Sequence, residues 1–456
     1  MKVQVLSRSE REWDPYLSGG AGSGISRNMH NPDTVLHPFQ RAREYKRALN
    51  AVKLDRIFAK PFLYALEGHV EGIYTLAKSR NNISLVASGS ADGQVSLWHL
   101  GRQKEVWRTK SHQGFARGVS FLSGNNNNND GLLTCGDDKT IKYWKVEEES
   151  VEDVSQPTCE YFTSSVVYGV DSHWKEPIFA SCGEGVDLWS LHRSEPFVHL
   201  SWNTDSVYHI RFHSVETNLL IGCGSDRGIT LFDIRSELPV RKLVLNMQSN
   251  CVAWNPLEPY LFTAANEDCN LYTFDLRYMK HALKVHSDHV SAVMSVDYSP
   301  VGKEFVSGSY DRTIRIFGNR DKLSREVYHT KRMQRVFATL YSGDARFIIS
   351  GSDDGIVRVW KNEASTPLKP LLRNEREKLE YEAKLKERYG FIPEVRKIAR
   401  QRHVPKVIYK MKKQKTEMMK SRERRERNRL LHSKASGSSL EEMLQAKRKT
   451  SGQIVE

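Results

Sequence analysis

An internal repeat with a period of about 43 residues sets the architecture of this chain. An aromatic residue ends a short strand of alternating polarity at Trp98, Trp144, Trp189, Phe232, Phe274, Phe317 and Trp360. The successive gaps are 46, 45, 43, 42, 43 and 43 residues. A fixed period of this length is typical of architectures in which each repeat is one supersecondary unit that buries its apolar face against its neighbours.

An aspartate precedes the closing aromatic by six residues in six of the seven repeats. These aspartates are Asp92, Asp138, Asp226, Asp268, Asp311 and Asp354. The third repeat departs from the pattern, with Gly183 at that place and Glu184 beside it. In Asp354-Gly-Ile-Val-Arg-Val-Trp360 the residues alternate as in a half-buried strand that follows a turn. Because a buried polar group without a partner costs about 1–3 kcal/mol, we interpret the six aspartates as structural turn residues bonded to a histidine or to backbone donors, not as catalytic groups.

Residues 62–361 resemble the WD-repeat family. Gly68-His69 ahead of Trp98, Ser111-His112 ahead of Trp144 and Asp288-His289 ahead of Asp311 fit the histidine-to-aspartate pattern of that family. Seven repeats of four strands predict an all-β fold, a seven-bladed WD-repeat β-propeller that closes into a ring. The last repeat stops at Trp360 without a fourth strand. We expect residues 61–66 to supply that strand, so that the N-terminal strand closes the ring.

The formal charge lies almost entirely at the C-terminal end. Of the net charge of +14, residues 371–456 carry +13, because this segment contains 25 Lys and Arg and only 12 Asp and Glu. We therefore divide the chain into an N-terminal extension with a short helix (1–61), the propeller (62–361) and a basic helical tail (362–456) that extends the propeller. A nearly neutral body with a basic tail points to phosphate-bearing or acidic partners.

Helical patterns flank the predicted ring. Residues 38–51 look helical, with Ala42, Tyr45 and Leu49 on one face, and we expect this helix to lie on the ring or on a partner. In the tail, Tyr381, Leu385 and Tyr389 form a narrow apolar stripe, Pro393 and Pro405 punctuate the helices, and Ser439-x-x-Glu442 fits a capping box. The dense basic segment from 407 to 432 has too little apolar surface to fold on the ring by itself.

The basic tail favours RNA binding. The candidate RNA-contact residues are Arg400, Arg402, Lys406, Lys410, Lys412, Lys413, Lys415, Lys420, Arg422, Arg424, Arg425, Arg427 and Arg429. Such side chains neutralise phosphates and release counterions, which gives an affinity that does not depend on sequence. Few aromatic residues apart from Tyr409 interleave with the charges, so contact with the RNA backbone or groove is favoured over base stacking. The alternatives are a solvated tail with a nuclear-import signal and a basic helix at a membrane surface, which the lack of a bulky apolar face disfavours.

The residue patterns indicate binding and not catalysis. The six cysteines form no Cys-x-x-Cys pair and no zinc spacing, and we interpret them as small buried core residues. The glycine cluster at 18–24 lacks the flanking strand and helix of a phosphate loop, and the asparagine run at 125–129 is typical of a solvated loop. No run of about 18 apolar residues occurs. We predict no catalytic residue, metal, cofactor, small-molecule substrate or membrane partner, and a soluble protein of the cytosol or nucleus.

Several segments that a propeller does not require resemble the Sof family, the suppressor-of-fibrillarin WD-repeat proteins. They are 36–62 ahead of the ring, 173–176, 264–268, 288–293 and 325–334 within it, and 397–406 with the basic helix after it. The resemblance covers about residues 36–434. It implies a non-catalytic scaffold in the nucleus and nucleolus, a ribonucleoprotein component of the small-subunit processome that supports rRNA processing toward 18S rRNA. The implied partners are pre-rRNA, small nucleolar RNA and processome proteins, including the box C/D small nucleolar ribonucleoprotein that contains fibrillarin.

Two consecutive repeats end in aromatic-Asp-x-Arg. The sequences are Phe232-Asp233-Ile234-Arg235 and Phe274-Asp275-Leu276-Arg277. They resemble the motif by which WD-repeat substrate receptors dock on the damaged-DNA-binding adaptor of cullin-4 ubiquitin ligases, where the arginine is a charged anchor. Both copies have Phe where Trp or Tyr is usual. An Asp–Arg pair that braces a blade turn is the alternative. The resemblance implies substrate reception for the ligase as a second function, which can coexist with the first.

Overall fold

The computed structural model describes residues 38–122, 131–145, 156–202, 205–236, 238–432 and 452–455. The glycine-rich start, the asparagine run and the proposed capping box at Ser439 lie outside the described residues. Within the described residues, the β-strands form seven antiparallel sheets, and each sheet is one blade of a propeller. The predicted fold class, a seven-bladed all-β WD-repeat propeller, is therefore confirmed.

The blades take their strands from the chain in order. The strands are β1 (Phe62–Glu67), β2 (Ile73–Lys78), β3 (Leu85–Ser90), β4 (Gln94–His99), β5 (Lys104–Lys110), β6 (Ala116–Leu122), β7 (Gly131–Gly136), β8 (Thr140–Lys145), β9 (Cys159–Phe162), β10 (Gly169–Ser172), β11 (Ile178–Cys182), β12 (Val186–Ser190), β13 (Val198–Leu200), β14 (Val207–Phe212), β15 (Leu219–Gly224), β16 (Gly228–Asp233), β17 (Leu238–Leu245), β18 (Ser249–Trp254), β19 (Leu261–Asn266), β20 (Asn270–Asp275), β21 (Lys284–Ser287), β22 (Val293–Tyr298), β23 (Glu304–Ser309), β24 (Ile314–Gly318), β25 (Glu326–Tyr328), β26 (Val336–Tyr341), β27 (Phe347–Ser352) and β28 (Ile356–Lys361).

The ring closes by pairing the first strand with the last. Blades one to six are β2–β5, β6–β9, β10–β13, β14–β17, β18–β21 and β22–β25. The seventh blade combines β26–β28 with β1, which runs antiparallel to β28 and pairs Glu67 with Ile356. The innermost strands of successive blades contact one another, and β26 contacts β2. The predicted closing strand is thus confirmed, with bounds at 62–67 in place of 61–66.

The closing aromatic of each repeat is buried between blades. Trp144, Trp189, Trp360, Phe274 and Phe317 have at most 2% of their surface exposed. Burying a large apolar side chain stabilises the fold by about 1.5–3 kcal/mol, which explains why the alternating strands end there. Where the aromatic is tryptophan, its indole N–H donates to a hydroxyl on the second strand of the same blade. The donor–acceptor distances are 2.7 Å for Trp98 and Ser88, 3.1 Å for Trp144 and Thr134, 2.9 Å for Trp189 and Ser181, and 2.9 Å for Trp360 and Ser350.

The cysteines pack as predicted in four of six cases. Cys135, Cys182, Cys223 and Cys251 are buried thiols, whereas Cys159 and Cys269 are partly exposed. Burial raises the pKa of Cys251 to about 11, so this thiol stays protonated and unreactive near neutral pH.

Three helices form a compact unit of their own. They are α1 (Gln40–Ile57), α2 (Arg373–Tyr389) and α3 (Pro393–Ala399), and the described part of the unit comprises residues 38–61 and 363–403. Leu385 is buried against Ala48, with Tyr381 and Tyr389 beside it, so the predicted apolar stripe of the tail is a packing face.

Helix α1 differs from its predicted form. It extends to Ile57, and Ala42, which was expected on the apolar face, is exposed. The buried face contains Glu44, Ala48, Ala51 and Val52. Glu44 tolerates burial because Arg388 and the Tyr389 hydroxyl, 2.9 Å away, bond to its carboxylate. Helix α1 therefore packs on α2 and α3 of the tail.

Two C-terminal elements group with the propeller. Helix α4 (Lys406–Leu431) and strand β29 (Gly452–Val455) belong to the unit that contains Phe62–Asn362. Strand β29 pairs antiparallel with β17 and gives the fourth blade a fifth strand. Within the described ranges, no helix has the length and apolar character needed to cross a membrane.

Candidate functional site

The turn aspartates lie between the second and third strands of their blades. Five of them, Asp92, Asp138, Asp226, Asp268 and Asp311, accept the backbone N–H two residues later at 2.9–3.3 Å. Asp354 lies at the same place and pairs with the guanidinium of Arg358. In each case the carboxylate orders a turn of its own blade.

Their second partners differ between blades. His112 bonds to Asp138 at 2.9 Å and to Thr134 at 2.9 Å, and His289 bonds to Asp311 at 2.9 Å. In the fourth and fifth blades, Asp226 pairs with Lys242 and Asp268 accepts from Tyr272. His69 bonds to Ser88 at 2.7 Å through Nε2, while its buried Nδ1 has no partner in the described structure. The histidine-to-aspartate bond is therefore present in the second and sixth blades.

The sixth blade holds a buried ion cluster formed by Asp288, His289, Asp311 and Arg315. The Arg315 guanidinium lies 2.7 Å from the Asp288 carboxylate, and the side chains of both are at most 2% exposed. Burial raises the pKa of Asp311, but the hydrogen bond from His289 and the charge of Arg315 outweigh it and hold this pKa at about 2. The two ionised carboxylates and one guanidinium leave a net charge of −1 in this cluster.

Helix α4 supplies the missing positive charge. Lys412 Nζ donates to the Asp288 carboxylate, and Lys415 Nζ donates to the His289 carbonyl at 3.2 Å. Burial opposes ionisation of Asp288, yet Arg315 and Lys412 together keep its pKa well below its usual range. Ile408 is 7% exposed and shares this helix face, since the spacing 408, 412, 415 is i, i+4, i+7.

This attachment corrects one expectation for the tail and concerns a second. Lys412 and Lys415 are candidate RNA contacts, and in the structure both side chains hold the helix on the connection between the fifth and sixth blades. The helix also folds on the ring despite its small apolar surface. A buried carboxylate with one cation too few attracts a lysine, so charge here replaces apolar area.

A basic stripe lies on the opposite face of α4. At about 100° per residue, its exposed members are Lys406, Lys410, Lys413, Lys420, Arg424 and Arg427. With a rise of about 1.5 Å per residue, the stripe is about 31 Å long. Glu417 lies on the same face, so the stripe carries five net positive charges.

The remaining RNA candidates lie off the stripe. Arg422, Arg425 and Arg429 are exposed on the distal half of α4, and Arg422 lies 3.5 Å from Glu426. Arg400 is exposed at the end of α3, and Arg402 is half-buried in the helical unit. The eleven candidates on α4 therefore do not share one face of the helix.

The two Asp-x-Arg sequences occupy equivalent turns of adjacent blades. Asp275 and Arg277 form a two-point ion pair at 2.9 and 3.1 Å, which holds the pKa of Asp275 below its usual range, and the guanidinium lies 4.7 Å from the Tyr260 ring centre. Asp233 accepts the Arg235 backbone N–H at 3.0 Å, and the Arg235 guanidinium lies 2.8 Å from the Asn218 amide. Of the two copies, only the second, with Asp275 and Arg277, therefore contains the ion pair that braces its turn.

These turns lie at the opposite end of the ring from α4. They join the third and fourth strands, at β16–β17 and β20–β21, whereas α4 docks where one blade connects to the next. In an antiparallel blade these two kinds of connection lie at opposite ends. The ring therefore presents a basic helix at one end and two arginine-bearing turns at the other.

The sequence-based candidates did not include Asp288 and Arg315. A signal was present: Asp288 stands before His289 where the first repeat has Gly68 before His69. An ionisable residue that is buried at this place, as Asp288 is, requires a charged partner. The sequence does not say that one such partner comes from residue 412.

Comparisons with known proteins agree with this arrangement. A family model described as a Sof1-like domain matches residues 362–450, and the WD domain, G-beta repeat, matches residues 60–99, 103–145, 280–318 and 326–361. The WD40 β-propeller domain of Doa1 has a similar fold, with a TM-score of 0.56 and 20% identity, covering 66% of this chain and 97% of that one.

Relatives match over nearly the whole length. DDB1- and CUL4-associated factor 13 of Xenopus laevis is 44% identical, covering 95% of this chain and 96% of that protein. The human protein of the same name is also 44% identical, with the same coverage. Protein SOF1 of Saccharomyces cerevisiae is 41% identical, covering 94% of this chain and 91% of that protein. The resemblance expected from the sequence is confirmed, and the chain belongs to the Sof1-like family of WD-repeat proteins.

Proposed function

We propose that this protein is a non-catalytic scaffold in ribosome biogenesis, a nucleolar component of the small-subunit processome that associates with pre-rRNA and the fibrillarin-containing small nucleolar ribonucleoprotein. Membership of the Sof1-like family supports this role. The observation that carries the RNA part of the proposal is the basic stripe of α4, which points away from the ring.

The docking of α4 explains how the stripe would act. Lys412 and Lys415 fix the inner face of the helix, so the stripe is held outward before RNA arrives. A preorganised row of cations loses less conformational freedom on binding than a flexible tail does. Phosphates along one RNA strand would neutralise the stripe and release counterions.

The test replaces the stripe with glutamine. The variant carries K406Q, K410Q, K413Q, K420Q, R424Q and R427Q, and the control carries K104Q, R193Q, K280Q, K303Q, R320Q and K322Q, all exposed on the ring. The affinity of the full-length protein for single-stranded pre-rRNA fragments is measured at several salt concentrations. The plot of log affinity against log salt has a negative slope, and we expect the stripe variant to make it shallower by about 4, at roughly 0.7 per phosphate. An equal change in the control would contradict the proposal.

We infer that the ring binds and does not catalyse. Its turn aspartates are engaged in hydrogen bonds within their blades, as for Asp138 with His112. Buried histidines bond within their blade, as His112 does to Thr134, or to the next blade, as His173 does to the Thr217 carbonyl. Across the described ranges, no group of three or more His, Cys, Asp and Glu could hold a metal ion. Such groups serve the fold.

A second candidate function is substrate reception for a cullin-4 ubiquitin ligase. The names of the animal relatives, DDB1- and CUL4-associated factor 13, support it. The two Asp-x-Arg turns lie at the same end of adjacent blades, at the end opposite α4, so adaptor and RNA need not compete.

The adaptor proposal is tested with R235A and R277A combined. We expect the double variant to lose co-purification with the adaptor while it retains the thermal unfolding transition of the parent. The control variant R193A with R320A removes two other exposed arginines and should bind normally. Adaptor binding that persists without Arg235 and Arg277 would leave the pair of Arg277 with Asp275 as a brace.

A further inference from the structure

The innermost strands carry a β-bulge at the same place in six blades. The extra residue is Tyr74, Arg117, Tyr208, Asn250, Met294 or Phe337. In the third blade Tyr168, directly ahead of β10, stands at the corresponding place. A bulge re-aims its side chain relative to the regular strand. We call these seven residues the crown.

Neighbouring crown residues contact one another around the ring. Tyr74 stacks on Phe337 with ring centres 4.3 Å apart, and Tyr168 contacts Tyr208 at 5.0 Å. Arg117 lies over the Tyr168 ring at 5.7 Å, and the Asn250 amide lies 3.5 Å from the Met294 sulfur.

Three further side chains extend the aromatic surface. Phe115 lies 5.4 Å from Tyr74 and 4.7 Å from the Arg117 guanidinium. Tyr310 lies 5.7 Å from Phe337 and is 37% exposed, and the exposed Arg335 lies over its ring at 5.4 Å. Aromatic and guanidinium groups thus run without a break from the sixth blade through the seventh and first to the fourth.

The crown lies at the end of the ring that carries α4. Its members stand at the beginning of the innermost strands, next to the connections between blades. Helix α4 docks between the fifth and sixth blades, where the crown holds Asn250 and Met294 in place of aromatic rings. The helix therefore lies at the gap in the aromatic arc.

We propose that this end of the ring is a binding site for a single-stranded RNA segment, whose bases contact Tyr310 and the half-buried crown rings Tyr74, Tyr168 and Tyr208. Its phosphates face Arg335 and continue along the outward stripe of α4, which borders the site. The Arg117 guanidinium is paired with Asp137 and packs among the rings. The inference rests on the proposed association with RNA. Charge complementarity selects a polyanion, because a helix with a basic stripe borders the aromatic arc. Ring faces beside guanidinium groups select one with unpaired bases, since stacking on aromatic side chains tolerates any base.

The test compares Y310A with Y278A in the full-length protein. Tyr310 extends the crown through its contact with Phe337, whereas Tyr278 is 77% exposed in the β20–β21 turn at the other end of the ring. The ligands are a single-stranded oligouridylate and an abasic ribose-phosphate oligomer of the same length. We expect Y310A to weaken oligouridylate binding about 5- to 150-fold, with an unchanged salt slope and unchanged abasic binding. Y278A should bind both ligands as the parent does.

Three outcomes would overturn the inference. The first is equal affinity of the parent protein for the two oligomers. The second is normal oligouridylate binding by folded Y310A. The third is that Y310A weakens the binding of a polyglutamate peptide but not the binding of RNA. The last outcome would assign the crown to an acidic protein segment. The stripe variant tests the salt dependence of RNA affinity. Y310A tests the difference in affinity between oligouridylate and the abasic oligomer. Failure of one proposal is therefore distinguishable from failure of the other.

Discussion

At the scale of single residues, Lys412 and Lys413 are neighbours in the sequence, yet one attaches α4 to the ring and the other is exposed on the basic stripe. Lys412 is directed at the buried Asp288, whereas its neighbour lies on the exposed stripe. The two side chains have the same charge and length. Their difference in environment arises from the 100° turn between successive helical residues.

We predict opposite effects for K412M and K413M. Loss of Lys412 leaves the buried Asp288 carboxylate short of a cation, at a cost of about 1–3 kcal/mol, so α4 should detach 5- to 150-fold more often. Trypsin cleavage and amide hydrogen exchange within α4 should accelerate in K412M. K413M should leave both rates unchanged and lower the salt slope of RNA binding by about 0.7. K412R, which retains the charge, should resemble the parent, and equal cleavage of K412M and K413M would refute the role of the ion pair.

At the scale of elements, the repeat was readable from the sequence because its signals are local. The turn aspartate, the alternating strand and the closing aromatic all lie within seven residues, and the missing fourth strand near Trp360 followed from counting. Helix α1 was misjudged because its buried face contains Glu44. The partners of that carboxylate, Arg388 and Tyr389, lie more than 340 residues away and are invisible to a local pattern.

The candidate sites were predictable in part for the same reason. The net charge of the tail is a property of the sequence, and eleven of the thirteen predicted RNA-contact residues lie on helix α4. The choice between inward and outward lysines depends on Asp288, which belongs to the sixth blade. The crown depends on bulges, which displace Tyr74 and its counterparts from the regular alternation and bring together residues from seven different repeats.

At the scale of the whole molecule, buried histidines recur around the ring. Burial lowers the pKa of His69, His112, His173, His209, His213, His286 and His289. For His209 the value falls to about 3, and for His286 to about 4. An unfolded histidine takes up a proton near pH 6.5, whereas these folded ones do not. Stability is therefore lost as pH falls from about 6.5 toward the folded values.

We predict that the free energy of unfolding decreases steeply between pH 6.5 and 5. His286 alone should contribute about 2 kcal/mol to this decrease, at about 1.4 kcal/mol per pH unit. Urea unfolding of H286Q at both pH values should show a shallower dependence than the parent. H192Q, which alters an exposed histidine, serves as the control. Parallel pH profiles for H286Q and the parent would show that burial of His286 does not contribute.

The pairing of β1 with β28 has a consequence for how the chain is made. The last partner, Trp360, leaves the translating ribosome about 290 residues after Glu67, which takes about 15–60 s at 5–20 residues per second. During that time Phe62–Glu67 contacts the first blade, as Tyr64 does through its bond to the Leu100 carbonyl, but it has no strand partner. Six blades then form an open arc with apolar ends. Synthesis thus exposes an unpaired strand edge until nearly four-fifths of the polypeptide exists, and any premature stop before Ile356 yields an arc that cannot shut.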